Sequence, residues 1–237
     1  MKSRIINAVL LVAALVSTLL VLETFPDTVP THFDQYGVAD GWGSKYSLLL
    51  LPGTILIMQL IGELCMYYFS KRKKEAIDEK TAAEAEANLK VLKITFIITS
   101  ALFFALNCVV LYMTYCQIDN QSLQKQVDIS KISVILMGAT FIIMGNFMPK
   151  TRMNSVIGFR CEWTMFNEYT WKKSNFFAAI GMIIFGILTI LSGVIFDGII
   201  GMIIMLCLLM VYVIISLIYA YFVYKNERDR VDNEKNS

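Results

Sequence analysis

The residues able to do chemistry in this chain of 237 are few and scattered. There is one histidine, His32, with Asp27, Asp34 and Asp40 close by in sequence. A zinc site takes three or four side-chain ligands. One imidazole among scattered carboxylates does not supply that set, so no metal site is expected. Cys65, Cys108, Cys116, Cys161 and Cys207 show neither C-x-x-C spacing nor a disulfide framework and read as small hydrophobes. Glu63 and Lys93 fall inside apolar stretches at similar depth on two helices of opposite direction. A charge in hydrocarbon is costly and usually paired, so a Glu63–Lys93 ion pair is expected. Gln59 and Asn107, single polar residues in the middle of apolar runs, read as interhelical hydrogen bonds. No nucleophile stands beside a base, and no Gly-rich phosphate loop or dinucleotide fingerprint is visible. The sequence points to no catalytic residue, no cofactor and no enzyme.

The densest polar stretch is NSVIGFRCEWT, residues 154–164, within GNFMPKTRMNSVIGFRCEWTMFNEYTWKKSN. Pro149 cannot continue a helix comfortably, so the chain turns there. Lys150, Arg152, Arg160, Lys172 and Lys173 suit an anionic membrane surface. Phe159, Trp163, Phe166, Tyr169 and Trp171 suit the headgroup boundary. Thr164 is expected to cap a short helix starting near Met165. The composition fits a loop lying on the membrane. It leaves open whether the loop only staples two helices together or also binds a partner, as loops free of packing duty often do.

The elements that must hold this loop are apolar. The chain is 57% hydrophobic and 17% charged, against roughly 25% charge in a soluble domain. Six stretches approach the ~20 apolar residues needed to span a bilayer: about 5–22, 46–69, 91–116, 132–148, 175–195 and 199–223. Each must be helical, because hydrocarbon offers exposed peptide groups no other partner. The fold class is therefore all-α, a polytopic bundle of six transmembrane helices. Lys and Arg cluster in the N-terminal tail, in 71–90, in 150–173 and in 225–235. Positive segments stay in the cytoplasm, so both termini are expected on the cytoplasmic side of the cell membrane. The net charge of +2 gives no ground for a nucleic-acid partner. The first span, about 18 residues with no A-x-A site after it, reads as a retained helix rather than a signal peptide.

The outer loop, 24–45, is rich in Pro and Gly and reads as turns. The inner segment 71–90 is rich in Ala, Glu and Lys. Opposite charges recur four apart at Lys71/Glu75, Lys74/Asp78, Lys80/Glu84 and Glu86/Lys90, so helices two and three are expected to run past the membrane as a charged hairpin. Gly138 and Gly145, like Gly186 and Gly193, lie seven apart and read as seams for close helix packing. The expected organisation is a two-helix unit over 1–70, the charged hairpin over 71–90, and a four-helix core over 91–237 with its loop at 149–175.

The run Gly145-Asn146, Met148-Pro149-Lys150, Asn154, Ile157-Gly158, Arg160, Trp163-Thr164 and Trp171 resembles the core signature of SdpI-type membrane proteins. Pro26, Pro30-Thr31-His32-Phe33, Gly37, Asp40-Gly41 and Lys45 resemble the small domain of unknown function that often precedes that core. The two resemblances cover about 5–67 and 132–223. They imply immunity: protection of the cell from a membrane-active toxin peptide met at the outer face. They also imply capture of a cytoplasmic repressor protein at the membrane. The binding residues expected inside are Asn146, Lys150, Asn154, Gly158, Arg160, Trp163, Thr164 and Trp171. Those expected outside are Pro30, Thr31, His32, Phe33 and Gly37. The competing readings are a small transporter or channel exporting a toxic peptide or other substrate, and a structural subunit of a membrane complex.

Overall fold

A computed structural model describes residues 2–34, 39–118, 129–154 and 156–236. The helices are α1 (Lys2–Thr24), α2 (Leu50–Lys74), α3 (Glu79–Ile118), α4 (Ile129–Phe147), α5 (Glu168–Ile195) and α6 (Gly198–Asn236). All six are long and apolar enough to cross a membrane. The bundle expected from hydropathy is therefore observed, and the protein is a multi-pass membrane protein. Two strands, β1 (Thr28–Phe33) and β2 (Ala39–Ser44), join α1 to α2.

The strands were not foreseen. They pair antiparallel, with Val29 opposite Gly43 and Pro30 opposite Trp42. Pro and Gly are disfavoured in strands, which is why this segment reads as turns. Packing overrides that local preference. Val29 is fully buried against Leu22, Phe25, Leu48 and Leu111, so the hairpin plugs one end of the α1–α2–α3 unit. Lys45 ties its base by pairing with Asp27 at 3.1 Å.

Helix α2 shows two working faces. Ile55, Gly62, Met66 and Phe69 are buried, and Met66 and Phe69 cluster with Leu92 and Phe96 of α3. Gln59 and Glu63, one turn apart, face α1 instead. Gln59 Nε2 donates to Asn7 O at 2.7 Å, and Glu63 pairs with Arg4 at 2.7 Å. The expected Glu63–Lys93 pair is thus corrected: Glu63 lies on the face of α2 that meets α1, and Arg4 reaches it with two nitrogens. Asn107 and Thr18 bond each other between α3 and α1. Both mid-span amides therefore join helices, as expected.

Beyond the apolar region α2 and α3 continue as a charged antiparallel pair. Asp78 caps α3 by accepting from Thr81 N at 2.7 Å, which holds its carboxyl below the usual value. The pairs Lys71–Glu75 and Lys90–Glu86 form within helices. Lys73–Glu86 forms across the two helices. Lys80 leaves Glu84 and reaches Glu168 of α5.

Helices α4 and α5 pack backbone to backbone. A Cβ on Gly138 would lie 2.7 Å from Gly186 O, and one on Gly186 would lie 2.6 Å from Gly138 O. Gly145 faces Ala179 and Ile183, and Gly193 faces Val134 and Ile135. All four glycines of the two expected seams thus belong to one α4–α5 interface. Helix α6 folds back on α5 through a tight turn, in which Gly201 N donates to Asp197 O at 2.8 Å. Stacked rings of Phe177 and Tyr219, 3.9 Å apart, join the two helices.

Candidate functional site

The segment between α4 and α5 is held by side-chain amides. Helix α4 ends at Phe147 and passes into a 3-10 turn, Met148–Lys150, that contains Pro149, a residue that does not continue a helix comfortably. Residue Asn154 then organises the chain. Its Oδ1 accepts from Val156 N at 2.7 Å and Ile157 N at 2.8 Å. Its Nδ2 donates to Arg152 O and Ile157 O. Asn88, reaching in from α3, accepts from Arg152 N at 2.8 Å and from Asn154 Nδ2 at 3.4 Å. The amide thus satisfies backbone groups that no helix or sheet supplies.

The second half repeats the device. Asn175 Oδ1 accepts from Phe159 N at 2.8 Å, and its Nδ2 donates to Phe159 O and Trp171 O. Trp171 is buried and donates its indole N–H to Thr151 O. Gly158 crosses this wall at a φ of +111°, where only glycine is comfortable. A Cβ there would come within 2.8 Å of Trp171 and 2.9 Å of Asn175 Oδ1.

The cap of α5 is Asn167, not Thr164. Asn167 accepts from Thr170 N at 2.9 Å while Thr170 Oγ1 accepts from Asn167 N, a reciprocal capping box. Thr164 instead closes a turn with Cys161, through Cys161 N at 2.9 Å and Cys161 O at 3.0 Å. The turn residues over 161–164 displace the expected short helix.

Aromatic edges press this end of the loop onto α6. Trp163 meets Tyr221 edge-to-face at 5.2 Å, and Phe166 meets Tyr224 at 5.1 Å. Asn167 Nδ2 also donates to Glu227 Oε1 at 2.9 Å. Glu227 is only 5% exposed and pairs with Arg230 at 2.8 Å. The Asn167 amide first, and Arg230 second, hold the Glu227 carboxyl below the usual 4.5. A lowered folded value means that this contact contributes fully above the ordinary carboxylate range. It is lost as the pH falls through the lowered value. Amide hydrogen exchange over 161–167 is expected to be slower in the wild type than in Glu227→Gln at pH 7, with the difference shrinking as the pH is taken down below the ordinary carboxylate range.

The expected inner residues therefore divide. Asn154, Thr164 and Trp171 are buried. With Gly158, at its glycine-only φ, they build the loop. Asn146, Lys150 and Arg160 are exposed, and Trp163 is half-buried against α6. Lys150 rests over the Phe147 ring at 4.4 Å. The residues missed were Asn88, Thr151, Thr170, Asn175 and Glu227. The signal for Asn88 was present: asparagine is a poor helix former set within an Ala-Glu-Leu helix.

At the other end, the expected outer residues sit on the hairpin. Pro30 is buried, Phe33 half-buried, and Thr31 and His32 exposed. His32 Nδ1 bonds Asp40 Oδ1 across the strands. Gly37 lies outside the described residues. No cluster of three or more metal-binding side chains occurs among the described residues.

The cation-rich segments share one end of the bundle. Arg4 contacts α2, Lys80 contacts α5, and Asn88 and Glu227 grip the 148–167 segment from α3 and α6. The hairpin closes the opposite end.

Two family models match parts of the chain. Residues 9–56 match a domain of unknown function, DUF1648. Residues 150–220 match the SdpI/YfhL protein family. The chain is 25% identical over 228 residues to the immunity protein SdpI of Bacillus subtilis (strain 168), covering 95% of this chain and 97% of that protein. No solved structure matches.

Proposed function

We propose that the chain, which matches DUF1648 over residues 9–56 and the SdpI/YfhL family over residues 150–220, is a multi-pass immunity protein that protects the cell from a membrane-active peptide. The observation that carries this reading is near end-to-end similarity to an immunity protein. A match confined to one helix pair would say far less. The positive-inside rule puts the cation-rich end, with both termini, in the cytoplasm and the hairpin outside. The peptide is met at the hairpin, where Thr31 and His32 stand exposed over a buried anchor. The inner loop, with exposed Lys150 and Arg160, is the surface for a cytoplasmic repressor protein.

A transport reading gains little support. Glu63 is bonded to Arg4, Gln59 to Asn7, and Asn107 to Thr18, so these polar groups tie helices together. The test is survival of a sensitive bacterium expressing the protein and challenged with membrane-active peptides. Expression is expected to raise the inhibitory concentration at least tenfold for one peptide class. Replacing both Thr31 and His32 with alanine is expected to remove most of that protection at unchanged membrane levels. Unchanged sensitivity of expressing cells to every peptide tried, with the protein in the membrane, overturns the reading.

A further inference from the structure

Two hollows adjoin in the cation-rich end. The first, about 330 Å³, lies between α3, α4, α5 and α6 below Gly158 and Phe159. Its walls are apolar: Val91, Met144, Met148 and Met182, with Thr95 and Tyr212. Except for Met148 at the end of α4, these residues lie within the membrane-crossing helices. Three methionines give it soft, adaptable walls. The second hollow, about 500 Å³, opens beyond the apolar spans, between the start of α3, residues 149–153 and the start of α5. Lys80, Arg152 and Lys172 line it, with Glu84 and Glu168. Lys80 is committed to Glu168. The Arg152 and Lys172 side chains carry no ion pair among the described residues, leaving two cations against Glu84. Thr151 lines both hollows.

An apolar cavity at hydrocarbon depth, adjoining across Thr151 a cationic hollow at headgroup depth, is ordered like an anionic amphiphile. We propose that this is a binding site for an anionic glycerophospholipid of the adjoining leaflet. One acyl chain lies among the methionines, and the phosphate meets Arg152 and Lys172. Guanidinium and ammonium groups near the interface favour such headgroups. A zwitterionic lipid would bring its own cation into the same hollow and lose that advantage. A lipid seated here would touch Thr151, Gly158 and Phe159 directly, linking membrane composition to the shape of the loop. The proposal does not depend on the immunity reading, because it is tested on the purified chain.

The experiment is native mass spectrometry of the full-length protein in detergent, with phosphatidylglycerol or phosphatidylcholine of identical acyl chains. The wild type is expected to retain phosphatidylglycerol about tenfold better. The double variant Arg152→Gln, Lys172→Gln alters exposed side chains and is expected to fold normally, and its preference should fall below about twofold. Met182→Phe fills the cavity without changing charge and is expected to reduce retention of both lipids together. Equal retention of the two lipids by the wild type overturns the site. So does a preference that survives in the double variant, or displacement of phosphatidylglycerol by millimolar inorganic phosphate.

Discussion

Gly186→Leu is expected to disrupt the bundle outright. The Gly138 and Gly186 backbones approach so closely that even a methyl group on either would lie under 3 Å from the other's carbonyl. The obstacle is main chain, which cannot rotate aside as a side-chain tip does. Accommodating leucine requires α4 and α5 to separate along an interface that Gly145 and Gly193 also hold close. Overpacking in an ordinary core costs ~1–3 kcal/mol, and the loss of packing along a whole helix pair adds to that. Loss of the monodisperse peak on size exclusion in mild detergent is expected, or a melting temperature lower by ten degrees or more. Gly53→Ala is the matched control. Nothing lies within 4 Å of a Cβ at Gly53, and alanine is a better helix former by roughly 1 kcal/mol. That variant is expected to melt at or slightly above the wild type.

Asn154→Ala is expected to loosen the 148–167 loop while sparing the helices. The substitution removes the acceptor for two backbone N–H groups and the donor to two carbonyls. Each buried group left without a partner costs about 1–3 kcal/mol, though water reaches some of them, so a net loss of about 2–4 kcal/mol is expected. Asn154→Asp discriminates the cause. It keeps the oxygen that accepts from the two N–H groups but turns a carboxylate oxygen toward Arg152 O, Ile157 O and Asn88 Oδ1. It is expected to be no better than alanine, whereas a site needing only volume would tolerate it. Trypsin reports the result through the loop's own Arg152 and Arg160. Cleavage there should accelerate at least tenfold in both variants, with the helical circular dichroism unchanged. If both variants resist trypsin like the wild type, the amide does not organise the loop.

What could be read in advance followed the physics of each part. Hydrocarbon leaves a chain so few options that six helices were legible from run length alone. The glycine spacings were equally plain, because small residues seven apart have little use except close approach. The hairpin over β1 and β2 was hidden because its strands depend on Val29 finding Leu111, a residue far along the chain. Local residue preferences point the other way there. The Glu63 pairing failed for a related reason: depth along a helix is readable from sequence, but the direction a face turns depends on which neighbours are already packed. In the loop, half of the residues singled out for binding are ones that build it. Asn154 and Trp171 lie buried, and their partners Asn88 and Asn175 come from helices on either side. A polar residue in an oily chain attracts attention whether it faces a ligand or a backbone carbonyl, and sequence does not distinguish the two.

Helix α6 is one unbroken rod of 39 residues, about 58 Å long at 1.5 Å per residue. Its last dozen residues project beyond the apolar stretch, and the loop grips it near Glu227, well short of the tip. The rod is thus a pointer with its pivot in the oil. A tilt of only five degrees about its midpoint would sweep the C-terminal end through roughly 2–3 Å, enough to make or break a hydrogen bond. A dye at residue 236 would register motions too slight to see anywhere near the fulcrum.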